Sequence, residues 1–317
     1  MRPWRLVADV GGSNVRFARS RAQHALSERR SYPLTDFDSF PDALAAFLDE
    51  TGGAEGCSAA VVGVAGPVDG DKVKLTNAPW SLEAGEIAAM LAGAPARLIN
   101  DLQAVALSLP YLEADELIPI GEAERKSAPR QTMLAVNVGT GFGGATVIPA
   151  GAGWVTNPGE PGHMRLGGCT ALELELVQDA GCVEEVLSGR GVEPLYRRLA
   201  ARAGVTGEPG VSGAKIFASA SEHAVATETV RQFSALLGRV AGDLVLASAA
   251  WGGVYLCGSV VNGWAAAGGG ALFRAPFEDK GPMRSRMETV YSGIIARDDA
   301  ALIGLTYLPI EAGEAVL

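Results

Sequence analysis

Cysteine is scarce in this chain and never clustered. Cys57, Cys169, Cys182 and Cys257 stand far apart, and no C-x-x-C or C-x-C pair occurs. That argues against a zinc knuckle and against a disulfide framework, and it fits a reducing compartment. Excess positive charge is missing too. The formal net charge is −10, so there is no electrostatic footprint for nucleic acid or an anionic membrane, and any polyanionic ligand must be met by a local site. No G-x-x-x-x-G-K-[ST] occurs, which excludes a P-loop. Arg2 and Arg5 lead into an apolar run that Asp9 cuts short, so the N-terminus does not read as a signal peptide. The one long uncharged stretch, Leu244 to Val261, is split by Gly252-Gly253 into a helix end and a strand, which argues against a membrane span. What remains is a cytoplasmic globular protein. Its 317 residues, 48% hydrophobic and 20% charged, suffice for two domains with full cores.

The chemistry starts at Leu6 to Ala18, LVADVGGSNVRFA. Asp9 lies inside an apolar β-like run, where an unpaired carboxylate is costly, so it needs a metal or a strong donor as partner. Gly11 and Gly12 can bring their N–H groups close to an anion, and Ser13 and Asn14 add short polar groups at the same tip. The pattern returns at Leu134 to Ile148, LAVNVGTGFGGATVI, where Asn137 takes the place of Asp9. Two half-similar strand–glycine–strand units suggest two related domains facing each other. Gly139, Gly141 and Gly144 also satisfy G-x-G-x-x-G, but strand-like residues follow where a dinucleotide fold needs a helix. Both loops therefore read as hairpin tips that hold phosphates.

Along the chain, Tyr32 to Phe40 is loop-like and Ser39 caps a helix carrying Phe40, Leu44, Phe47 and Leu48. Ala59 to Ala65 reads as a strand, DGDKVKL after Gly66-Pro67 as a hairpin, and Ser81 to Leu91 as a helix. Strand, strand, helix, strand suits a mixed sheet with a helix on it. Arg97 to Ile99 is a strand that runs into Asn100-Asp101, with a helix following from Leu102. Strand ends of this kind line ligand crevices, although either residue could serve only as a helix cap. Glu113 to Arg130 reads as an irregular crossing between domains. Asn157 to His163, with two prolines and two glycines, reads as a non-helical loop holding Glu160 and His163. Thr170 and Glu173 form a capping box, helices are predicted at Val192 to Arg202 and Glu222 to Ala250, a strand at Val254 to Cys257, and a closing helix at Asp299 to Leu308.

Seven stretches in order carry a family resemblance over nearly the full length. They are DVGGSNVR at Asp9, LINDLQAVA at Leu98, VGTGFGGA at Val138, GEPGH at Gly159, VLSGRG at Val186, VYLCGSVV at Val254 and FEDKGPM at Phe277. The chain resembles the bacterial glucokinases of the hexokinase–actin–heat-shock ATPase superfamily. The resemblance implies an α/β fold of two ribonuclease-H-like domains, each a mixed sheet flanked by helices, with a ligand cleft between them. A small domain of residues 1–112 and 299–317 and a large one of 113–298 would narrow their angle when glucose binds. It implies ATP-dependent phosphorylation of glucose at the 6-hydroxyl, with Asp101 as general base. Asn100, Asp101, Glu160, His163 and Glu184 would contact the sugar, Glu184 being preferred to Glu185 by alignment on Val186-Leu187-Ser188-Gly189. Asp9 would hold magnesium through water. Gly11, Gly12, Ser13, Asn14, Gly139, Thr140 and Gly141 would hold ATP, and Gly258 and Ser259 would lie near the adenosine. Ser259 departs from the family's Gly-Gly. A homodimer is the family's habit.

Three other readings compete. A sugar-responsive repressor of similar fold carries a DNA-binding domain and a cysteine-rich motif after the histidine, whereas this chain starts at its first strand and has only Cys169 there. An actin-like or chaperone-like ATPase has no use for the sugar cluster. A nicotinamide enzyme would need a helix after Gly144.

Overall fold

The computed structural model describes residues 3–75, 78–126, 129–205 and 210–310. They divide into two compact units, one of Met1–Glu113, Val147–Pro158 and Arg297–Leu317, the other of Ala114–Thr146 and Gly159–Ala296.

In the first unit β1 (Trp4–Val10) buries Trp4, Leu6, Val7, Ala8 and Val10, the near-continuous apolar run of a strand covered on both faces. It pairs antiparallel with β2 (Asn14–Ala22) and parallel with β4 (Cys57–Val64). β3 (Ala25–Pro33) pairs antiparallel with β2. The sequence ALSERRSYP has no apolar alternation to announce it, being a charged edge strand of the kind that resists further pairing. α1 (Phe40–Thr51) starts where Ser39 accepts the Asp42 N–H and buries Phe40, Leu44, Phe47 and Leu48, as the spacing predicts. The hairpin expected within DGDKVKL is a tight turn closed by one antiparallel bridge between Asp69 and Lys72, whereas the helix expected from Ser81 is corrected. β5 (Lys72–Lys74) pairs with β6 (Ser81–Glu83), burying Val73 and Leu82, so α2 begins only at Ala84 (Ala84–Met90). β7 (Ala96–Asn100) lies parallel to β4 and leads directly into α3 (Asp101–Ser108).

In the second unit, the stretch expected as an irregular crossing holds β8 (Leu117–Pro119). A glycine tip joins β9 (Met133–Val138) to β10 (Phe142–Ala150), and β11 (Gly153–Gly159) follows; the end of β10 from Val147 and β11 as far as Pro158 are counted with the first unit. β11 runs through Asn157 and Pro158, part of the segment expected as a loop. Its edge position tolerates a proline. Pro161–His163 is a single 3₁₀ turn. Then come α4 (Ala171–Val177), α5 (Val192–Arg202), α6 (Gly213–Ala218) and α7 (Ala224–Ser248). β12 (Val254–Cys257), α8 (Ser259–Ala266), α9 (Gly270–Glu278), α10 (Arg284–Met287) and β13 (Ser292–Ile295) complete the unit. α11 (Ala300–Tyr307) returns the chain to the first.

The sheet orders are β3-β2-β1-β4-β7 and β11-β10-β9-β12-β13-β8. They correspond strand for strand, with β8 as an added antiparallel edge, so the internal similarity read from the sequence is a repeated topology. In each sheet three parallel strands (β1, β4, β7 and β9, β12, β13) point their C-terminal ends the same way, and ligands of such sheets gather at those ends. Among the described residues no helix is long and apolar enough to cross a membrane.

Candidate functional site

The C-terminal ends of β1, β4 and β7 carry the first group of predicted residues. The hairpin register sets Asp9 opposite Arg16, on the same face of the sheet, and the two pair at 3.4 Å. Arg16 also donates to the Asp298 carbonyl at 3.0 Å. Burial raises the pKa of Asp9, and the charge and hydrogen bond of Arg16 pull it back. The strong donor that the buried carboxylate requires is therefore Arg16. It was not singled out in the sequence, although folding the hairpin about Gly12-Ser13 would have found it. The tip itself is tied down: Gly11 N–H donates to Asn14 O at 3.0 Å, and Leu34 N–H to Ser13 O at 2.9 Å.

Asp9 pairs in register with Gly63, and Gly63 with Ile99, so Asn100 ends a strand two places away in the same sheet, about 10 Å across, and Asp101 opens the helix that follows. A Cβ placed on Gly63 would meet the Asp101 Cα at 3.6 Å. Asn100 is the N-cap of α3. Its Oδ1 accepts from Leu102 N at 3.0 Å and Gln103 N at 3.3 Å, and Gln103 reaches back to the Asn100 N–H. Its Nδ2 donates to Gly66 O at 3.2 Å, leaving one amide proton. Asp101 is the first helical residue, its Oδ1 accepting from Leu102 N at 2.9 Å. The cap role that the sequence allowed to either residue belongs to Asn100.

The second group surrounds the Gly139-Thr140-Gly141 tip. Glu184 reaches the tip from a 3₁₀ turn, Val183–Glu185, and its Oε2 accepts the Phe142 N–H at 2.8 Å. Its other oxygen pairs with Arg190. Glu185 points elsewhere, onto Gly181 N at 2.8 Å. The turn Pro161–His163 packs on the same hairpin: any side chain at Gly162 would collide with the Phe142 carbonyl, and Pro161 sits 3.1 Å from where a Gly144 Cβ would lie. Glu160 precedes this turn and His163 ends it, and both are exposed. Gly189 N–H donates to Gly139 O at 2.8 Å, docking the VLSGRG segment on the tip. Gly258 holds φ 104°, and a Cβ there would lie 2.5 Å from Asn137 Oδ1 and from Val138 O, so only glycine lets the chain turn from β12 into α8 this close to β9. Glu160, His163, Glu184, Gly139–Gly141, Gly258 and Ser259, scattered over 121 positions of sequence, thus come together in one unit. Gly162, Gly189 and Arg190, which pack this cluster, carried no signal beyond lying within the motifs.

Among the described residues no group of three His, Cys, Asp or Glu side chains could hold a metal ion alone. One carboxylate is nevertheless what magnesium takes when substrate phosphates and water supply the rest of its octahedron, so Asp9 fits that ion better than a protein-only cage would.

The family model for glucokinase matches residues 6–310. The chain is 37% identical over 313 residues to a glucokinase of Chelativorans sp. (strain BNC1), covering 95% of this chain and 89% of that one. Its structure is similar to that of a glucokinase from an Antarctic psychrotroph, with a TM-score of 0.84 and 29% identity over 96% of this chain and 98% of the other. It shares its fold with a ROK family glucokinase from Streptomyces griseus solved with glucose and AMPPNP, at TM-score 0.61 and 20% identity over 96% and 98%.

Proposed function

We propose, from the premise that this chain belongs to the glucokinase family and phosphorylates glucose, that ATP with magnesium is the donor and the glucose 6-hydroxyl the acceptor. The observation that carries the reading is the repeated glycine tip: each of two like-ordered sheets ends a parallel strand in one, with Asp9 beside the first and Glu184 behind the second. Phosphoryl transfer asks a protein chiefly for positioning and charge neutralisation. Peptide N–H groups at Gly11, Gly12, Gly139, Thr140 and Gly141 would supply part of the second, with Ser13 and Asn14 adding side-chain donors. Bound magnesium, held by Asp9 through water, would spread the charge of the phosphates. Arg16 favours the ionised form of Asp9 that such binding needs. Gly258 and Ser259 would lie near the adenosine.

Sugar hydroxyls both donate and accept. Glu160, His163, Glu184 and the remaining Asn100 amide proton offer matching partners, and an epimer would leave one of these groups unpaired. Asp101 would take the proton from the 6-hydroxyl, its carboxylate oriented by the Leu102 N–H. A cytoplasmic homodimer that binds neither nucleic acid nor membrane completes the proposal.

ADP release with Mg-ATP across a panel of hexoses tests it. Glucose should give the highest kcat/KM, and its 6-deoxy analogue none. ADP formed at the same rate with and without every hexose would favour an ATPase instead.

A further inference from the structure

The first turn of α3 is tied to a residue far along the chain that belongs to none of the motifs. Gln103 accepts from the Asn100 N–H through its side-chain oxygen at 3.2 Å, and its side-chain nitrogen donates to Thr156 Oγ1 at 3.1 Å. Gln103 and Thr156 lie 53 positions apart, the threonine in β11, and both belong to the first unit. Chemistry sets the orientation of the amide. A backbone N–H can only donate, so the Gln103 oxygen must face Asn100 and the nitrogen must face the threonine. A planar amide pinned at both ends cannot swing, and both side chains are half-buried. Towards β4, α3 is held by packing: the Ala104 Cβ lies 3.4 Å from where a Cβ on Gly63 would sit. Gln103 stands about 100° further round the helix, so Thr156 braces a side of α3 that Gly63 does not.

A capping box needs only the Gln103 oxygen, which satisfies the free N–H at the helix start. The bond to Thr156 is additional to the cap. It fixes the corner between β7 and α3, and Asp101 is the first residue after that corner. The Asn100 side chain is secured separately, by Leu102 N, Gln103 N and Gly66 O. We propose that Gln103 and Thr156 are positioning residues for phosphoryl transfer: Thr156 fixes the Gln103 amide, and the amide fixes the corner from which Asp101 reaches the acceptor hydroxyl. This rests on the reading of Asp101 as the base. A base works on the proton in the transition state, and a misplacement of about 1 Å can cost about 10²-fold in rate. Loosening the brace therefore lowers kcat and leaves the KM for Mg-ATP, which the glycine tips would hold, unchanged.

Thr156→Val tests this, because it removes the hydroxyl at nearly constant volume and keeps a β-branched residue in the strand. Steady-state kinetics at saturating glucose should show kcat reduced about tenfold, with the KM for Mg-ATP and the Tm close to wild type. Thr156→Ser restores the hydroxyl and should recover most of the loss. Gln103→Leu should lose at least as much kcat as Thr156→Val, and combining the two should cost no more than Gln103→Leu alone. Each variant is measured beside its thermal melt, and Gln103→Leu carries the test if Thr156→Val folds poorly. On top of Asp101→Asn, Thr156→Val should have no further effect on kcat. A stable Thr156→Val enzyme with wild-type kcat would overturn the assignment. So would a Thr156→Ser enzyme as slow as Thr156→Val, or a loss that persists in full on top of Asp101→Asn. Near-normal turnover of Asp101→Asn alone is a distinct result, which would overturn the base and this inference with it.

Discussion

Asp101 and Glu160 are both carboxylates, yet their surroundings fit them for different tasks. Asp101 is fixed at the first turn of α3 by the Leu102 N–H, whereas Glu160 is exposed ahead of a single 3₁₀ turn. Replacing Asp101 with Asn keeps size and a hydrogen-bonding oxygen but removes the proton acceptor. Turnover at saturating glucose should fall by about 10² to 10⁴, the usual worth of a positioned base, with a smaller change in glucose affinity. The Tm should barely move, because Asn100 rather than Asp101 caps the helix. Glu160→Gln should show the opposite bias, losing sugar affinity more than saturated turnover. Steady-state kinetics beside a thermal melt decides between these roles: a stable Asp101→Asn enzyme with near-normal turnover rules out the base.

Elements whose ends are written in side-chain chemistry were legible in the sequence. Thr170 and Glu173 form the capping box that their spacing predicts, and Ser39 caps α1. Glu173 goes further than a cap. Its side chain is only 3% exposed, its Oε2 accepts from Cys169 N and Thr170 N, and Arg239 lies 3.1 Å away. Burial alone would raise its pKa, but these bonds outweigh burial and hold it below the ordinary range. A depressed folded-state pKa stabilises at pH values above the unfolded-state one and is lost as pH falls through the folded value. Glu173→Gln should therefore cost about 2 kcal/mol in urea denaturation at neutral pH, and the gap to wild type should narrow as the solution is acidified below the ordinary glutamate range. A gap of constant size across that range would refute the ionic account. Elements set by long-range pairing were not legible. β3 and β8 exist because a neighbouring strand offers a ladder, and β6 displaces the first turn of a predicted helix for the same reason. The Arg190–Glu184 pair depends on two turns folding against one hairpin, which no local pattern encodes.

At the scale of the whole molecule the repeated topology poses a question of sign. Equivalent strands β1 and β9 carry Asp9 and Asn137 at matching positions, and each has a parallel neighbour in register: Gly63 for Asp9, Cys257 for Asn137. The charged member has Arg16 opposite it. Asn137 instead sits beside the Gly258 turn, its Oδ1 3.9 Å from Cys257 Sγ, with no cation among the partners its amide shows. A neutral amide there suits an anionic nucleotide, and a carboxylate would repel it. The two positions should therefore respond in opposite ways to the same pair of residues. Asp9→Asn should depress magnesium-dependent kcat while leaving glucose binding measured without nucleotide intact. Asn137→Asp should raise the KM for Mg-ATP by about tenfold or more, through a like charge in a partly desolvated setting, and leave the glucose KM near its wild-type value. Higher salt should recover part of that loss, because screening weakens the repulsion. Initial-rate measurements varying each substrate in turn, at two ionic strengths, test both variants together. If Asn137→Asp binds Mg-ATP as tightly as wild type, the second glycine tip does not face the phosphates, and the equivalence of the two halves is one of fold alone.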